Sequence, residues 1–141
     1  MYDYNFVFDV NVLISAALSA RSVPGLALKQ AQAIGQVFVS STIWAELEEV
    51  LARPRLEKYL SPDDRRRFLL ALSQAVSFAE PTISLQVCRD PKDDRYLELA
   101  VSLQSACIVS GDRDLLVLNP FQGIQIMKPR DFLNLYPPQT N

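Results

Sequence analysis

Carboxylates are the side chains of this sequence most able to do chemistry, and two of them follow predicted buried strands. Asp9 ends the run Asn5–Asp9, and Asp112 lies just past Cys107–Ser110, after Gly111. In open α/β sheets, the working site lies outside the carboxyl ends of the strands. Two carboxylates about 4 Å apart repel by about 4 kcal/mol at an effective dielectric of roughly 20. A cluster of acids at this edge therefore needs protons, basic partners or a bound cation.

The composition favours metal chemistry on carboxylates. The 141 residues include no histidine, which excludes Ser-His-Asp triads, histidine nuclease pairs and most zinc sites. Cys88 and Cys107 each adjoin an apolar run, so we interpret them as reduced packing residues. Clustered carboxylate oxygens suit Mg²⁺ or Mn²⁺. Either ion would activate a water and stabilise charge on a phosphate.

Short apolar strands alternate with helical patterns along the chain. The predicted strands are Asn5–Asp9, Val37–Ser40, Cys107–Ser110 and Ile124–Met127, with Thr82–Val87 as an extended or edge segment. The predicted helices run from Asn11 to Ala20, from Ser22 to about Ala33, from a Ser41 or Thr42 cap to Pro54, from Ser61 to about Phe78, from Asp90 onwards, from Leu115 to Leu118 and from Pro129 to Leu135. This alternation indicates βαβ units and a parallel sheet with helices on both faces.

Length and hydropathy favour one soluble domain over residues 1–141. The longest apolar stretch, Val10–Ala20, is too short for a membrane span and contains polar residues. No basic leader with a cleavage site is visible at the N-terminus. We therefore expect a cytoplasmic protein with no membrane partner.

Basic residues are concentrated in one part of an otherwise acidic chain. The formal net charge is −2, yet six of the 14 basic residues lie between Arg53 and Arg67. The run Arg65, Arg66 and Arg67 is either a substrate-binding patch or a solvated helix face, and the sequence leaves both interpretations open.

Four acidic motifs resemble those of the PIN domain family. Phe8–Ala16 is similar to the Asp-Thr-Asn-Val-Leu start of these domains, and Ser41–Leu47 to their second motif. Arg89–Ala100 and Val109–Leu116 resemble the third and fourth motifs. Ile126–Leu133 also resembles the end of the toxin-like PIN subfamily. The match covers nearly the whole chain in order.

The resemblance implies a Rossmann-like three-layer α/β/α fold with a central parallel sheet of four to five strands. It also implies metal-dependent cleavage of single-stranded RNA by the toxin of a toxin–antitoxin pair, which forms a homodimer and is inhibited by a small antitoxin. The implied catalytic and metal-binding acids are Asp9, Glu46, Asp94 and Asp112. Asn11 would orient Asp9 or the metal water, and Asp114 would be a supporting acid.

Several of these residues also have simpler explanations. Asp90 precedes Pro91 and suits a helix cap, and Asp93 in the first turn is favoured by the helix dipole. Asp114 suits either a cap or a metal-site role, and Glu46 is distinguished from its acidic neighbours mainly by the family pattern. Val10 stands where the family has threonine. The lost hydroxyl would be replaced by Ser15 or Ser110, or activity would be weaker.

Two other functions fit part of the sequence. Phosphatases of the haloacid-dehalogenase type would use Asp9, Ser40 and Asp112, but they need a second acid where this chain has Asn11, and a positioned lysine is not evident. A PIN-like fold without turnover, serving as an RNA- or protein-binding module, is favoured by Val10 and by the acidic net charge. The intact set of four acids argues against the binding module.

Overall fold

The computed structural model describes residues 4–139 and contains a five-stranded sheet in which every neighbouring pair is parallel. The strands are β1 (Tyr4–Phe8), β2 (Gly35–Val39), β3 (Ser77–Phe78), β4 (Cys107–Val109) and β5 (Gln125–Met127). Their order across the sheet is β3-β2-β1-β4-β5. The predicted α/β class with a parallel sheet is therefore confirmed.

Helices separate the strands along the chain. Within residues 4–139 the α-helices are α1 (Val10–Leu18), α2 (Val23–Ile34), α3 (Ser41–Leu51), α4 (Pro62–Ala75), α5 (Asp94–Leu103), α6 (Arg113–Leu116) and α7 (Pro129–Leu135). Short 3-10 turns occupy Pro54–Leu56 and Pro91–Asp93. Side-chain oxygens accept hydrogen bonds from first-turn amides at the N-termini of five of the α-helices, and the capping residues are Asp9, Ser22, Ser40, Ser61 and Asp112.

Two predicted boundaries in the middle of the chain were wrong. Ser40, rather than Ser41 or Thr42, caps α3 because its Oγ accepts the amide hydrogen of Ile43 at 3.2 Å. The helix that begins after Ser61 ends at Ala75, and Ser77–Phe78 instead pairs with β2. Edge pairing with β2 satisfies backbone groups that a longer helix would have used internally.

The segment Thr82–Val87 was predicted as extended, and it lies outside the sheet. Side chains of α5 bind its backbone amides in place of a neighbouring strand. Glu98 accepts from the amide of Leu85 at 2.8 Å, and Ser102 accepts from that of Thr82 at 2.9 Å. Because these α5 residues are four apart, they lie on one side of the helix and bind successive parts of the segment.

The strand order places a crevice between β1 and β4. From β1 the chain proceeds to β2 and β3 on one side, then returns to build β4 and β5 on the other. Ligands of open α/β sheets bind at this reversal, outside the carboxyl ends of the two strands. Phe8 is paired with Val109, so the residues after each strand emerge side by side. Asp9 and Ser110 are those residues.

A contiguous hydrophobic core supports this edge. Phe6–Phe8 of β1 and Cys107–Val109 of β4 are completely buried, as expected for central strands covered on both faces. Among the described helices, none is by itself long and apolar enough to cross a membrane; α1 and α2 meet that test only as a pair joined through a 106° bend.

Candidate active site

Asp9 lies at the end of β1 and is almost fully buried, with 3% of its surface exposed. Its Oδ1 accepts the amide hydrogen of Val12 at 2.8 Å, and its own amide donates to Val109 O at 3.0 Å. Asp9 therefore also caps α1, a role that its place at the end of a buried strand does not reveal. Burial raises the pKa of Asp9 despite the hydrogen bonds from Ser110 and Val12, and the charge of Asp112 raises it further.

The Ser110 hydroxyl joins Asp9 to Asp112. It donates to Oδ2 of Asp9, and its oxygen accepts the amide hydrogen of Asp112 at 3.0 Å. Oδ1 of Asp112 in turn accepts from the amide of Asp114 at 2.9 Å and caps α6. The helix therefore begins at Arg113 instead of the predicted Leu115, with Asp112 as its cap. Ser110 is one of the two hydroxyls considered as replacements for the missing threonine, and it is the one that contacts Asp9.

Three carboxylates face one another beside this link, and we call them the acidic cluster: Asp93, Asp112 and Asp114. One oxygen from each lies within 4.8 Å of the others, and all three residues are partly exposed. Oxygen ligands at this spacing and of this charge fit a hard divalent cation. Burial raises the pKa of Asp93 to about 7. The negative charge of Asp112 and a hydrogen bond with Asp112 are the next causes of this rise.

Asp94 is adjacent in sequence but differs in its surroundings. It is 7% exposed, and its Oδ1 accepts amide hydrogens from Cys88 at 2.8 Å and Val87 at 3.1 Å. Burial acts to raise the pKa of Asp94, but the hydrogen bonds from Cys88 and Val87 outweigh it and leave the pKa below its usual value. One oxygen of Asp94 is therefore used in holding the preceding segment.

Glu46 lies on α3 and is paired with a base. Its Oε1 is 2.7 Å from Nη1 of Arg95, and both side chains are largely covered. Burial raises the pKa of Tyr96, and the charges of Glu46 and Asp9 raise it further, so all three lie in one electrostatic neighbourhood. The hydroxyl oxygen of Tyr96 accepts the amide hydrogen of Val10 at 3.1 Å.

Of the other predicted site residues, Asn11 and Asp90 lie outside the acidic cluster, and Asp114 belongs to it. Asn11 is exposed in the first turn of α1. Asp90 caps the turn Pro91–Asp93 by accepting from the amide of Lys92 at 3.0 Å, as its position before Pro91 predicted. Asp114 is not a cap, since Asp112 fills that position; it pairs with Arg89 at 3.3 Å.

The arginine run lies on the exposed surface of α4. Arg66 and Arg67 pair with Asp63 and Asp64 one turn earlier. Ion pairs with this exposure contribute little to stability. Within residues 4–139 the ion pairs of Arg66 and Arg67 are confined to α4, and none joins Arg65, Arg66 or Arg67 to the acidic cluster.

Sequence reasoning missed the partners of the acids. Neither Arg95, which binds Glu46, nor Tyr96, whose hydroxyl accepts the amide hydrogen of Val10, was predicted as a site residue. The position of Arg95 directly after Asp94 does not indicate that Arg95 binds Glu46, because Glu46 lies 49 positions away. Ser40, which a phosphatase would need for phosphate binding, is buried and caps α3.

The fold and this edge define an α/β protein whose carboxylates converge where the strand order reverses. A family model described as the PIN domain matches residues 5–114. The chain therefore belongs to the PIN domain family. Its general class is that of a nuclease, a hydrolase of phosphodiester bonds.

One protein is similar to this chain in sequence, and two solved structures share its fold. The chain is 31% identical to the uncharacterized protein MJ1680 of Methanocaldococcus jannaschii over 116 residues, which cover 79% of this chain and 73% of that protein. PAE2754 from Pyrobaculum aerophilum has a similar structure, with a TM-score of 0.63, 16% identity and coverage of 94% of this chain and 89% of its own. The structure of VapBC2 from Rickettsia felis bound to a DNA fragment from the VapBC2 promoter is also similar, with a TM-score of 0.60 and 10% identity. The match covers 86% of this chain and 96% of that chain.

Proposed function

We propose that this protein is a Mg²⁺- or Mn²⁺-dependent endoribonuclease that hydrolyses phosphodiester bonds in single-stranded RNA. The observation that carries the proposal is the acidic cluster beside Asp9, at the edge where β1 and β4 end. Carboxylates this close repel one another, and a divalent cation removes that repulsion. Family membership supports the nuclease class, and the absence of histidine fits a mechanism that depends on a cation.

The acidic cluster and Asp9 have different roles in this proposal. Asp93, Asp112 and Asp114 would hold the cation, and Asp9 would approach it through the oxygen that Ser110 now binds. When bound, the cation activates water and neutralises charge that develops on the phosphate. The Ser110 hydroxyl keeps the Asp9 carboxylate in one orientation, so the ligand geometry exists before the cation arrives.

The third acid of the site is assigned differently by family pattern and by geometry. The resemblance favours Asp94, whereas the facing oxygens favour Asp93. Asp94 already accepts two backbone hydrogen bonds through one oxygen. We therefore propose Asp93 as a ligand, with Asp94 positioning it by anchoring the chain before the turn Pro91–Asp93.

The biological role that we propose is that of the toxin in a toxin–antitoxin pair. The fold shared with VapBC2 and the toxin-like end of the sequence support this role. A small antitoxin protein would then be the natural partner, and the active form would be a homodimer. The free thiols of Cys88 and Cys107 are consistent with a reducing cytoplasm.

A catalytically weak RNA- or protein-binding module is the second candidate. The ion pair between Arg95 and Glu46 favours it, because a neutralised Glu46 is a poorer cation ligand. Val10, in place of the family threonine, points the same way.

Cleavage of a mixed-sequence single-stranded RNA, with Mg²⁺, with Mn²⁺ and with EDTA, tests both candidates. The proposal expects metal-dependent products that Asp9→Asn and Asp93→Asn abolish, and the same assay of Asp94→Asn compares the two assignments of the third acid. Metal-independent cleavage, or full activity in Asp9→Asn and Asp93→Asn, would overturn the proposed mechanism. Metal and RNA binding by the wild type without any cleavage would establish the binding module.

A further inference from the structure

Two adjoining cavities form a groove between the N-terminal turns of α3 and α5. Their volumes are about 310 and about 340 Å³, and both are lined by Thr42, Lys92 and Arg95. Glu46 and Arg53 of α3 line the second cavity. We call the two together the α3–α5 groove.

The acids that line the groove are occupied by other groups. Asp94 accepts the amides of Val87 and Cys88, and Glu98 accepts that of Leu85. The other two acids are in ion pairs, which are Glu46 with Arg95 and Glu49 with Arg53. Acids satisfied in this way repel an incoming anion less than free ones would.

The basic side chains of the groove retain capacity for an anion. Lys92 forms no ion pair within the part of the chain that the structure describes. Arg95 donates to Glu46 through Nη1, and its Nε is fully buried, so Nη2 is the nitrogen that remains for an anion. A guanidinium has five N–H donors and suits phosphate oxygens, and an ammonium adds a compact charge.

The groove is continuous with the acidic cluster through one turn of the backbone. In the turn Pro91–Asp93, Lys92 lines the groove and the next residue, Asp93, belongs to the cluster. An anion at Lys92 therefore lies beside the cluster and outside it. A polynucleotide is the ligand that places one phosphate at the cluster and a second one next to it.

We propose that the α3–α5 groove binds the RNA backbone phosphate adjacent to the one that is cleaved, through Lys92, Arg95 and the Thr42 hydroxyl. This inference rests on the proposed ribonuclease function. It replaces the arginine run of α4 as the substrate-binding surface. Arg66 and Arg67 are paired within α4, whereas Lys92 forms no ion pair among residues 4–139 and directly precedes Asp93 of the acidic cluster.

The salt dependence of RNA binding tests the groove directly. The affinity for a labelled single-stranded RNA is measured by fluorescence anisotropy in EDTA, which prevents metal-dependent turnover. Each lost phosphate contact lowers the slope of log affinity against log salt by about 0.7, so Lys92→Gln should bind about five-fold more weakly at about 0.1 M salt. In Mg²⁺, the same variant should raise KM by a similar factor and leave kcat unchanged.

Two controls separate the possible outcomes. Lys29→Gln, on the exposed surface of α2, changes the charge equally and should leave the slope and KM unchanged. If the triple variant Arg65→Gln, Arg66→Gln, Arg67→Gln lowers the slope and Lys92→Gln does not, the groove is overturned while the ribonuclease proposal stands. If the wild type neither binds nor cleaves RNA, both proposals are overturned.

Discussion

Carboxylates on the two sides of this sheet edge have different partners: other acids on one side, and a base or backbone amides on the other. In the acidic cluster, Asp93 and Asp112 face each other, and burial together with Asp112 raises the pKa of Asp93 to about 7. On the side of α3 and α5, Glu46 has a guanidinium partner and Asp94 has two backbone amides, which hold the pKa of Asp94 below its usual value.

This difference distinguishes acids that serve the fold from acids that serve a ligand. A carboxylate such as Asp94, which accepts two amide hydrogen bonds and lies outside the acidic cluster, contributes to stability without a cation. Carboxylates that face one another cost stability unless a cation or a proton relieves them. The comparison therefore supports the proposal that Asp94 serves the fold and that the acidic cluster binds the cation.

Removing a charge from the acidic cluster should have the largest effect. Loss of a group that only supports a metal ligand lowers activity or affinity by about 10–100-fold. Asp112→Asn changes a proposed ligand itself, so we expect kcat/KM to fall by more than about 100-fold. Asparagine still caps a helix well, so Tm should change little. Asp131→Asn, in the exposed first turn of α7, is the matched control and should retain full activity. Near-normal cleavage by Asp112→Asn would remove the basis for the comparison.

On the other side of the edge, Asp94→Ala should act mainly on stability. Hydrogen bonds to charged groups contribute about 1.5–3 kcal/mol each, so losing both amide contacts should lower the free energy of unfolding by about 3 kcal/mol. Urea unfolding measures this loss, with Asp93→Ala as the neighbouring control. If Asp93→Ala were the more destabilising of the two, the assignment of structural work to Asp94 would be wrong.

Ser110 tests the link between the two strands. Ser110→Ala removes the donor to Asp9 and the acceptor for the Asp112 amide, so we expect kcat to fall by about 10-fold, the lower end of the effect of supporting groups. Isothermal titration with Mn²⁺ should show a parallel loss of metal affinity. Ser15→Ala, on α1 and without this contact, is the control, and an equal effect there would argue against a specific role for Ser110.

The smallest effect concerns pH. The pKa of Asp93 is about 7 in the folded protein against an ordinary value of 3.8, so between these values the folded state binds more protons than the unfolded state. Stability from this group is therefore lost as pH rises through that window. In EDTA, Asp93→Asn should raise Tm relative to wild type more at about pH 8 than at about pH 5. Adding Mg²⁺ should reduce the difference in Tm between Asp93→Asn and wild type at the higher pH. A difference in Tm that does not change with pH would contradict the expected repulsion.

Much of the fold could be predicted from local patterns. Apolar runs such as Cys107–Ser110 predicted buried strands, and Pro91 after Asp90 predicted the cap that the structure contains. The edge strand at Ser77–Phe78 could not be predicted, since two residues carry too little pattern and their pairing with β2 depends on the finished sheet. The segment Thr82–Val87 was recognised as extended, but its attachment to α5 was not.

The sequence by itself determined which acids follow which strands, and therefore which edge of the sheet is acidic. The sequence favoured Asp94 over Asp93 as a ligand, whereas the tertiary structure places Asp93 beside Asp112 and Asp94 against backbone amides. Consecutive residues where a helix begins point in directions about 100° apart, so one meets Asp112 and the other the amides of Cys88 and Val87. The amides that Asp94 accepts lie only six and seven positions away, but other contacts of the site are long-range, since Ser110 and Asp9 are 101 positions apart and Arg95 and Glu46 are 49 apart. The parallel pairing of β1 with β4 brings Ser110 to Asp9, and the packing of α5 against these strands positions the residues of α5.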